Sequence, residues 1–257
     1  MENIMRIYVS DLAWLAPELT LVIAAALFSL IDVLMPRSFN RQAVGWATIA
    51  ALAVSAVFVI RQLGVDTSVD LLQQTYRVDD YALILKLLFL VGAALSVLMS
   101  LGLRKEDLGG DDIGEYYYFY LPATVGAMVV ASAGDLIMMY VGLELLSITT
   151  YIMVGMRKKL SISGEAAFKY VVMGGISSAF ILYGMSFLYG FTGTTSLLHI
   201  SAMFRITGIE SFDMLLYVSF FLLLTGIGFK IAAAPFHAWA PDVYQGAATP
   251  VAAYLAV

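Results

Sequence analysis

Long apolar runs, broken by short polar stretches, follow one another along the whole chain. A bilayer core about 30 Å thick requires roughly 20 apolar residues in helical form. Runs of that kind lie at about 14–35, 42–63, 81–103, 116–132, 136–156, 165–191 and 214–234, and an eighth begins near Thr249 and reaches Val257. They show no period-2 alternation and are rich in Ala, Leu and Met, which favours helices over the strands of a membrane barrel. The pattern predicts an all-α membrane protein. It would be a polytopic helix bundle with about seven complete transmembrane helices and the start of an eighth.

Most breaks between runs are short. Gly134-Asp135 separates the fourth and fifth, which should therefore be antiparallel neighbours. The stretch Thr194–Asp213 is longer, and its Leu197, Leu198, Ile200 and Met203 fit either a short interfacial helix or an ordinary surface loop. His199 in this stretch reads as a surface residue.

Composition supports the pattern. Of 257 residues, 61% are hydrophobic and 13% are charged, about half the charged share of an ordinary soluble domain. The net charge of −5 offers no basic surface for nucleic acid. Arg157-Lys158-Lys159 is too short for a polybasic lipid-binding cluster. The absence of cysteine excludes disulfides, thiolate-held iron–sulfur clusters and thioether-linked haem within this chain. Met1–Asp11 lacks a cleavable signal pattern, and the apolar run after it is too long for a signal core.

Loop charge predicts orientation, because cytoplasmic loops carry an excess of Lys and Arg. Loops after the first, third and fifth runs hold seven such residues: Arg37, Arg41, Arg104, Lys105, Arg157, Lys158 and Lys159. The opposite side holds four, Arg6, Arg61, Arg77 and Arg205, beside the acidic Asp66, Asp70, Asp79 and Asp80. The expected N-terminus is therefore outside the cytoplasm.

The remaining basic residues, Lys86, Lys169 and Lys230, fall inside predicted spans. A charge at mid-bilayer costs about 2.5–3.5 kcal/mol on insertion scales, and such residues commonly mark ion or proton pathways. Glu144, in Gly142-Leu143-Glu144-Leu145-Leu146-Ser147, lies roughly 12 Å into its helix at 1.5 Å per residue. Its partner must come from another helix; the alternatives are a structural ion pair and a protonated, hydrogen-bonded acid. Lys169 lies just past one turn into its span. It has Glu165 four residues before it and a stem long enough to snorkel, so function and structure are equally open there. Lys230 follows the uncharged Met214–Phe229 and is harder to explain structurally. Lys86, six residues past Asp80, reads as a structural, snorkelling lysine, and Asp32 reads as interfacial.

Beyond Lys230 comes Pro235-Phe236-His237-Ala238-Trp239-Ala240-Pro241-Asp242-Val243-Tyr244-Gln245-Gly246, with Pro250 following. Two prolines six apart break a helix. Irregular backbone at membrane depth persists only inside protein or beside a water-filled cavity. A broken helix of this kind forms ion sites in transporters, and His237 is suited to relay protons. An interfacial loop with an aromatic belt is the competing reading.

Together, Glu144, Lys169, Lys230 and His237 are the candidate proton-transfer groups. A carboxylate strengthens a buried lysine's hold on its proton. At about 8 Å and an effective dielectric near 20 the attraction is roughly 2 kcal/mol, enough for a moving Glu144 to gate proton release.

Phe229-Lys230 through Pro235-Phe236-His237-x-Trp239-x-Pro241-Asp242-Val243-Tyr244-Gln245-Gly246-Ala247 resembles the antiporter-like subunits of respiratory complex I. So do Leu15-Ala16-Pro17-Glu18-Leu19, the Glu144 motif and Glu165-Ala166-Ala167-Phe168-Lys169-Tyr170. The Asp-Val-Tyr-Gln-Gly wording is similar to one branch of that family and differs from its paralogues and from Mrp-type cation/proton antiporters. The resemblance implies fourteen helices with two inverted repeats of five. Residues 1–115 would then carry helices 1–3, and 116–257 the first repeat, ending as its last helix begins. It implies that Glu144, Lys169 and Lys230 are the family's membrane glutamate and lysines, and that His237 follows the break in the seventh helix. It also implies redox-driven proton translocation in a bacterial inner membrane, with other membrane subunits of the complex as partners. NADH, flavin, iron–sulfur clusters and quinone would sit in those partners. No Gly-x-Gly-x-x-Gly fingerprint or cluster ligand set is found in this chain. A stand-alone antiporter and a non-transporting scaffold are the alternatives.

Overall fold

The computed structural model describes residues 11–34, 40–64, 68–103, 113–207 and 214–257. Arg6, Arg37, Asp66, Arg104 and Lys105, used in the orientation argument, lie outside them, as does the stretch 1–10 read for a signal pattern.

Helices account for nearly all the regular structure. They are α1 (Ala16–Leu34), α2 (Gln42–Gln62), α3 (Asp80–Leu101), α4 (Ile113–Tyr118), α5 (Tyr120–Ala131), α6 (Leu136–Val154), α7 (Ser161–Thr192), α8 (Leu197–Thr207), α9 (Met214–Lys230), α10 (Ala240–Gly246) and α11 (Thr249–Leu255). Among the described residues, α1, α2, α3, α6 and α7 are long and apolar enough to cross a membrane. Helix α9 is apolar but shorter, at 17 residues. The fourth apolar run is divided between α4 and α5.

The bundle's surface is what a lipid environment requires. Val33, Phe168, Phe221 and Leu224 are each more than two-thirds exposed. Buried hydroxyls bond within the bundle, as Thr48 does to the Val44 carbonyl and Ser96 to that of Gly92. Small residues bring helices close where α7 meets α9. A side-chain carbon at Gly184 would sit 3.0 Å from the Ser219 carbonyl oxygen, and one at Gly226 would sit 2.8 Å from that of Ser177. Each contact is joined by a hydrogen bond, Ser219 Oγ donating to the Gly184 carbonyl at 2.7 Å and Ser177 Oγ to that of Gly226 at 2.8 Å.

The loop after α2 contains a two-stranded antiparallel hairpin, β1 (Val69–Leu71) and β2 (Tyr76–Val78). It meets the α5–α6 turn: Arg77 N donates to the Ser132 carbonyl and Gly134 N to that of Thr75, both at 2.7 Å. That turn in turn meets the loop before α8, with Leu136 N bonding the Thr195 carbonyl at 2.9 Å. Three inter-helix connections thus meet at one end of the bundle, as alternating crossings demand. Asp79 and Asp135 cap α3 and α6 there, accepting from Ala82 N at 2.8 Å and Met138 N at 2.7 Å.

One lysine reading needs correction. Lys86 does not snorkel. It is fully buried, 2.9 Å from Glu18 Oε1, and donates to Tyr76 Oη at 2.8 Å. Asp32, near the end of α1, is buried and paired with Arg41 at 2.9 Å. For Lys86 a specific partner outweighs the pull of the interface, whereas the Asp32 partner lies in the loop at the helix end. Tyr76 donates to Glu18 Oε1 at 2.6 Å, and burial, then the Glu18 charge, pushes its phenol well above the ordinary value. It therefore remains a proton donor across the physiological range. Residues Leu197–Thr207 form the short helix α8, and His199 is exposed.

Candidate functional site

Helix α9 stops at Lys230. Its last turn bends away through Ala232, at φ 51°, and a non-helical stretch runs to Trp239 before α10 begins. Pro235 lies in that stretch and Pro241 opens α10. The Trp239 indole closes the break. It donates to the Phe229 carbonyl at 3.1 Å and stacks on Tyr170 of α7, with ring centroids 4.8 Å apart.

The break places the Lys230 ammonium against α6. It lies 3.2 Å from Glu144 Oε1 and donates to Ser147 Oγ at 2.6 Å. Ser147 passes its own hydroxyl hydrogen to the Leu143 carbonyl at 2.7 Å. From α7, Ser178 Oγ lies 2.5 Å from the same Glu144 oxygen. The pair is largely buried, with side-chain exposures of 12% for Lys230 and 23% for Glu144. At 3.2 Å and an effective dielectric near 20, the gross attraction is about 5 kcal/mol. Desolvation offsets much of it.

Beside the pair lies a cavity of about 260 Å³. Its polar lining comes from Lys230, Ser147, Thr150 and Tyr170, and apolar side chains such as Leu146 and Phe89 close the rest. It is large enough for several waters, each needing about 30 Å³.

The other candidates lie apart from the pair. Lys169 is bound at 2.7 Å to Glu165, the helix neighbour, and at 2.6 Å to Asp242 of α10. Among the described residues, no hydrogen bond or ion pair joins His237 to Glu144, Lys169 or Lys230, and its imidazole is exposed. The structure therefore joins Glu144 to Lys230 and Lys169 to the broken-helix segment, leaving His237 separate. Sequence reasoning passed over Ser178, Asp242 and Glu18 as partners. Asp242 and Glu18 lay within quoted motifs, whereas Ser178 had no signal beyond a hydroxyl in an apolar run. No group of three or more His, Asp or Glu converges to hold a metal ion among the described residues.

Residues 133–257 match the family model described as NADH:quinone oxidoreductase/Mrp antiporter, TM. NADH-quinone oxidoreductase subunit N of a Paenibacillus species is 48% identical, over 96% of this chain and 50% of its own length. Subunit N of Brevibacillus brevis is 43% identical over 98% of this chain and 49% of its own. Among solved structures, a chain of respiratory complex I from Thermus thermophilus superposes with a TM-score of 0.73 at 31% identity, over 93% of this chain and 52% of that one. The chain thus spans about half the length of the curated relatives it matches. This multi-pass helical bundle is thus similar, along nearly its whole length, to about half of subunit N of NADH-quinone oxidoreductase, and its residues 133–257 match the NADH:quinone oxidoreductase/Mrp antiporter family model.

Proposed function

We propose that this chain forms part of a proton-translocating membrane subunit of a bacterial NADH–quinone oxidoreductase, with electron transfer carried out in partner subunits. The reading places it in the inner membrane with its N-terminus outside, and gives it seven complete spans and the start of an eighth. Residues 1–115 form its first three helices and 116–257 the first of the family's repeats. NADH, flavin, iron–sulfur clusters and quinone belong to the rest of the complex.

The observation that carries the reading is the Glu144–Lys230 pair, two opposite charges from different helices meeting at a helix break beside a mostly apolar cavity that Lys230, Ser147 and Thr150 reach. An approaching carboxylate holds a proton on the lysine, and a retreating one frees it. Opening the contact from 3.2 Å to about 8 Å reduces the attraction from about 5 to about 2 kcal/mol. The difference, about 3 kcal/mol, corresponds to roughly a hundredfold change in the lysine's hold on the proton. Glu144 and Lys230 are the proton-handling residues in this account. Lys169 and His237 extend the path towards α10 and beyond the break.

The test is Glu144→Gln in the assembled complex, which keeps the shape and removes the charge. Proton pumping should be lost with the complex intact, and normal pumping would rule out the gate. The Mrp-type antiporter reading draws on the shared family model. Sodium-dependent proton flux from the protein without peripheral redox subunits would favour it.

A further inference from the structure

Helices α6 and α7 share a polar seam that continues past the Glu144–Lys230 pair. On α6, Glu144, Ser147 and Tyr151 are spaced three and four apart and so share one face. On α7, Tyr170, Gly174 and Ser178 are spaced four apart and share another. The two stripes run antiparallel: Ser178 meets Glu144, Gly174 meets Tyr151, and the rings of Tyr151 and Tyr170 pack edge to face at 4.5 Å.

Tyr151 is the unusual member. The residue is 8% exposed, yet among the described residues its hydroxyl meets no hydrogen-bond partner at bonding geometry. Buried hydroxyls ordinarily find one. A notch is kept open for this hydroxyl by Gly174, since any side-chain carbon there would overlap it. The notch lies one helical turn from Ser178, which bonds Glu144.

Two mostly apolar spaces, each with polar groups in its wall, lie along the seam near the tyrosine. One is the cavity that holds Lys230, Ser147, Thr150 and Tyr170, where Thr150 Oγ1 lies 3.5 Å from Tyr170 Oη. The other is an open cleft of about 450 Å³ at the α6–α7 turn, lined by Tyr151 itself, Glu115, Tyr118, Gly155 and Lys158. Glu115 and Lys158 face each other across it at 3.8 Å. By loop charge this is the cytoplasmic end. Seven residues at 1.5 Å each put Tyr151 about 10 Å along α6 from Glu144, between the cleft and the pair.

We propose that Tyr151 is the proton relay between the cleft beside Glu115 and Lys158 and the Glu144–Lys230 pair. This rests on the proton-translocating reading above. A hydronium in the cleft gives a proton to the phenol oxygen while the phenol releases its own to a water on the inner side, so that two O–H bonds break, two form, and the positive charge moves inward. Rotation of the hydroxyl in the Gly174 notch restores the starting state with no net change on the tyrosine. Ser147 and Ser178, at hydrogen-bond distance from the pair, complete the inner side.

The test is Tyr151→Phe, measured in membrane vesicles as protons moved per NADH oxidised, with the amount of assembled complex determined in the same membranes. The ratio should fall at least severalfold with the complex at its normal level. Tyr151→His, which keeps a proton-exchanging group in the notch, should regain part of it. Full pumping by Tyr151→Phe overturns the relay. Equal loss in Phe and His variants, or loss of the complex from Tyr151→Phe membranes, also overturns it, because the side chain is then needed for packing. Glu144→Gln is run in parallel. If it pumps normally, the gate has failed; if it fails to pump while Tyr151→Phe pumps fully, only the relay has failed.

Discussion

Shortening the carboxylate by one carbon separates an electrostatic role for Glu144 from a purely geometric one. Glu144→Asp keeps the charge but withdraws it from the Lys230 ammonium, now 3.2 Å away. With the backbone fixed, the gap grows to about 4.5 Å, and at a dielectric near 20 the attraction falls from about 5 to about 3.7 kcal/mol. The loss, about 1.5 kcal/mol, is roughly tenfold in the lysine's hold on its proton. The Ser147 contact at 2.6 Å is untouched, so Lys230 keeps one anchor. Measured as protons moved per NADH oxidised, with complex content as the control, the expected order is wild type, then Glu144→Asp, then Glu144→Gln. The Asp variant should retain a measurable fraction. If Asp is as inactive as Gln, or Gln as active as Asp, the carboxylate charge is not what sets proton transfer, and the reasoning fails.

Three further outcomes follow from contacts elsewhere in the bundle. Lys86→Met strands the buried Glu18 carboxylate and should cost about 3–5 kcal/mol of stability, while the Glu18→Gln/Lys86→Met pair should recover most of it; thermal unfolding of the purified complex reports both. Asp242→Asn leaves Lys169 paired with Glu165 and loosens α10 from α7, which should show as faster protease or hydrogen exchange within 231–246 and no change at the hairpin. Asp135→Ala removes the α6 cap and should cost about 1 kcal/mol, read as a lowered melting temperature with pumping retained.

The five helices long and apolar enough to cross a membrane, among the described residues, were legible because a helix must be apolar along its whole length to sit in lipid, and that leaves a plain trace in the chain. The buried charges were legible for the converse reason: Glu144 and Lys230 stand out against long uncharged runs, and proline marks the break after α9. Their pairing was not legible, since the two residues are 86 positions apart and only the packing of α7 between them sets the distance. Ser178 and Gly174 were invisible for the same cause. A serine or glycine in an apolar run carries no sign of which helix it faces.

Lys86 shows where local reasoning fails. Its distance from the helix start favoured the interface, but Glu18 arrives from α1 and Tyr76 from the hairpin to hold it inside. The hairpin itself went unread because each strand has only three residues, too few for alternation to register. Lys169 was half legible. Its helix neighbour Glu165 followed from i,i+4 spacing, while Asp242 required knowledge of how α10 folds back on α7.

The central claim is that Glu144 and Lys230 act as one unit, and a double-mutant cycle on proton pumping tests it most directly. Protons moved per NADH oxidised are compared for Glu144→Gln, Lys230→Met and the two combined, at equal complex content. The account predicts that the combined variant is no worse than the more damaging single one. Losses that simply multiply would show two independent residues and contradict it.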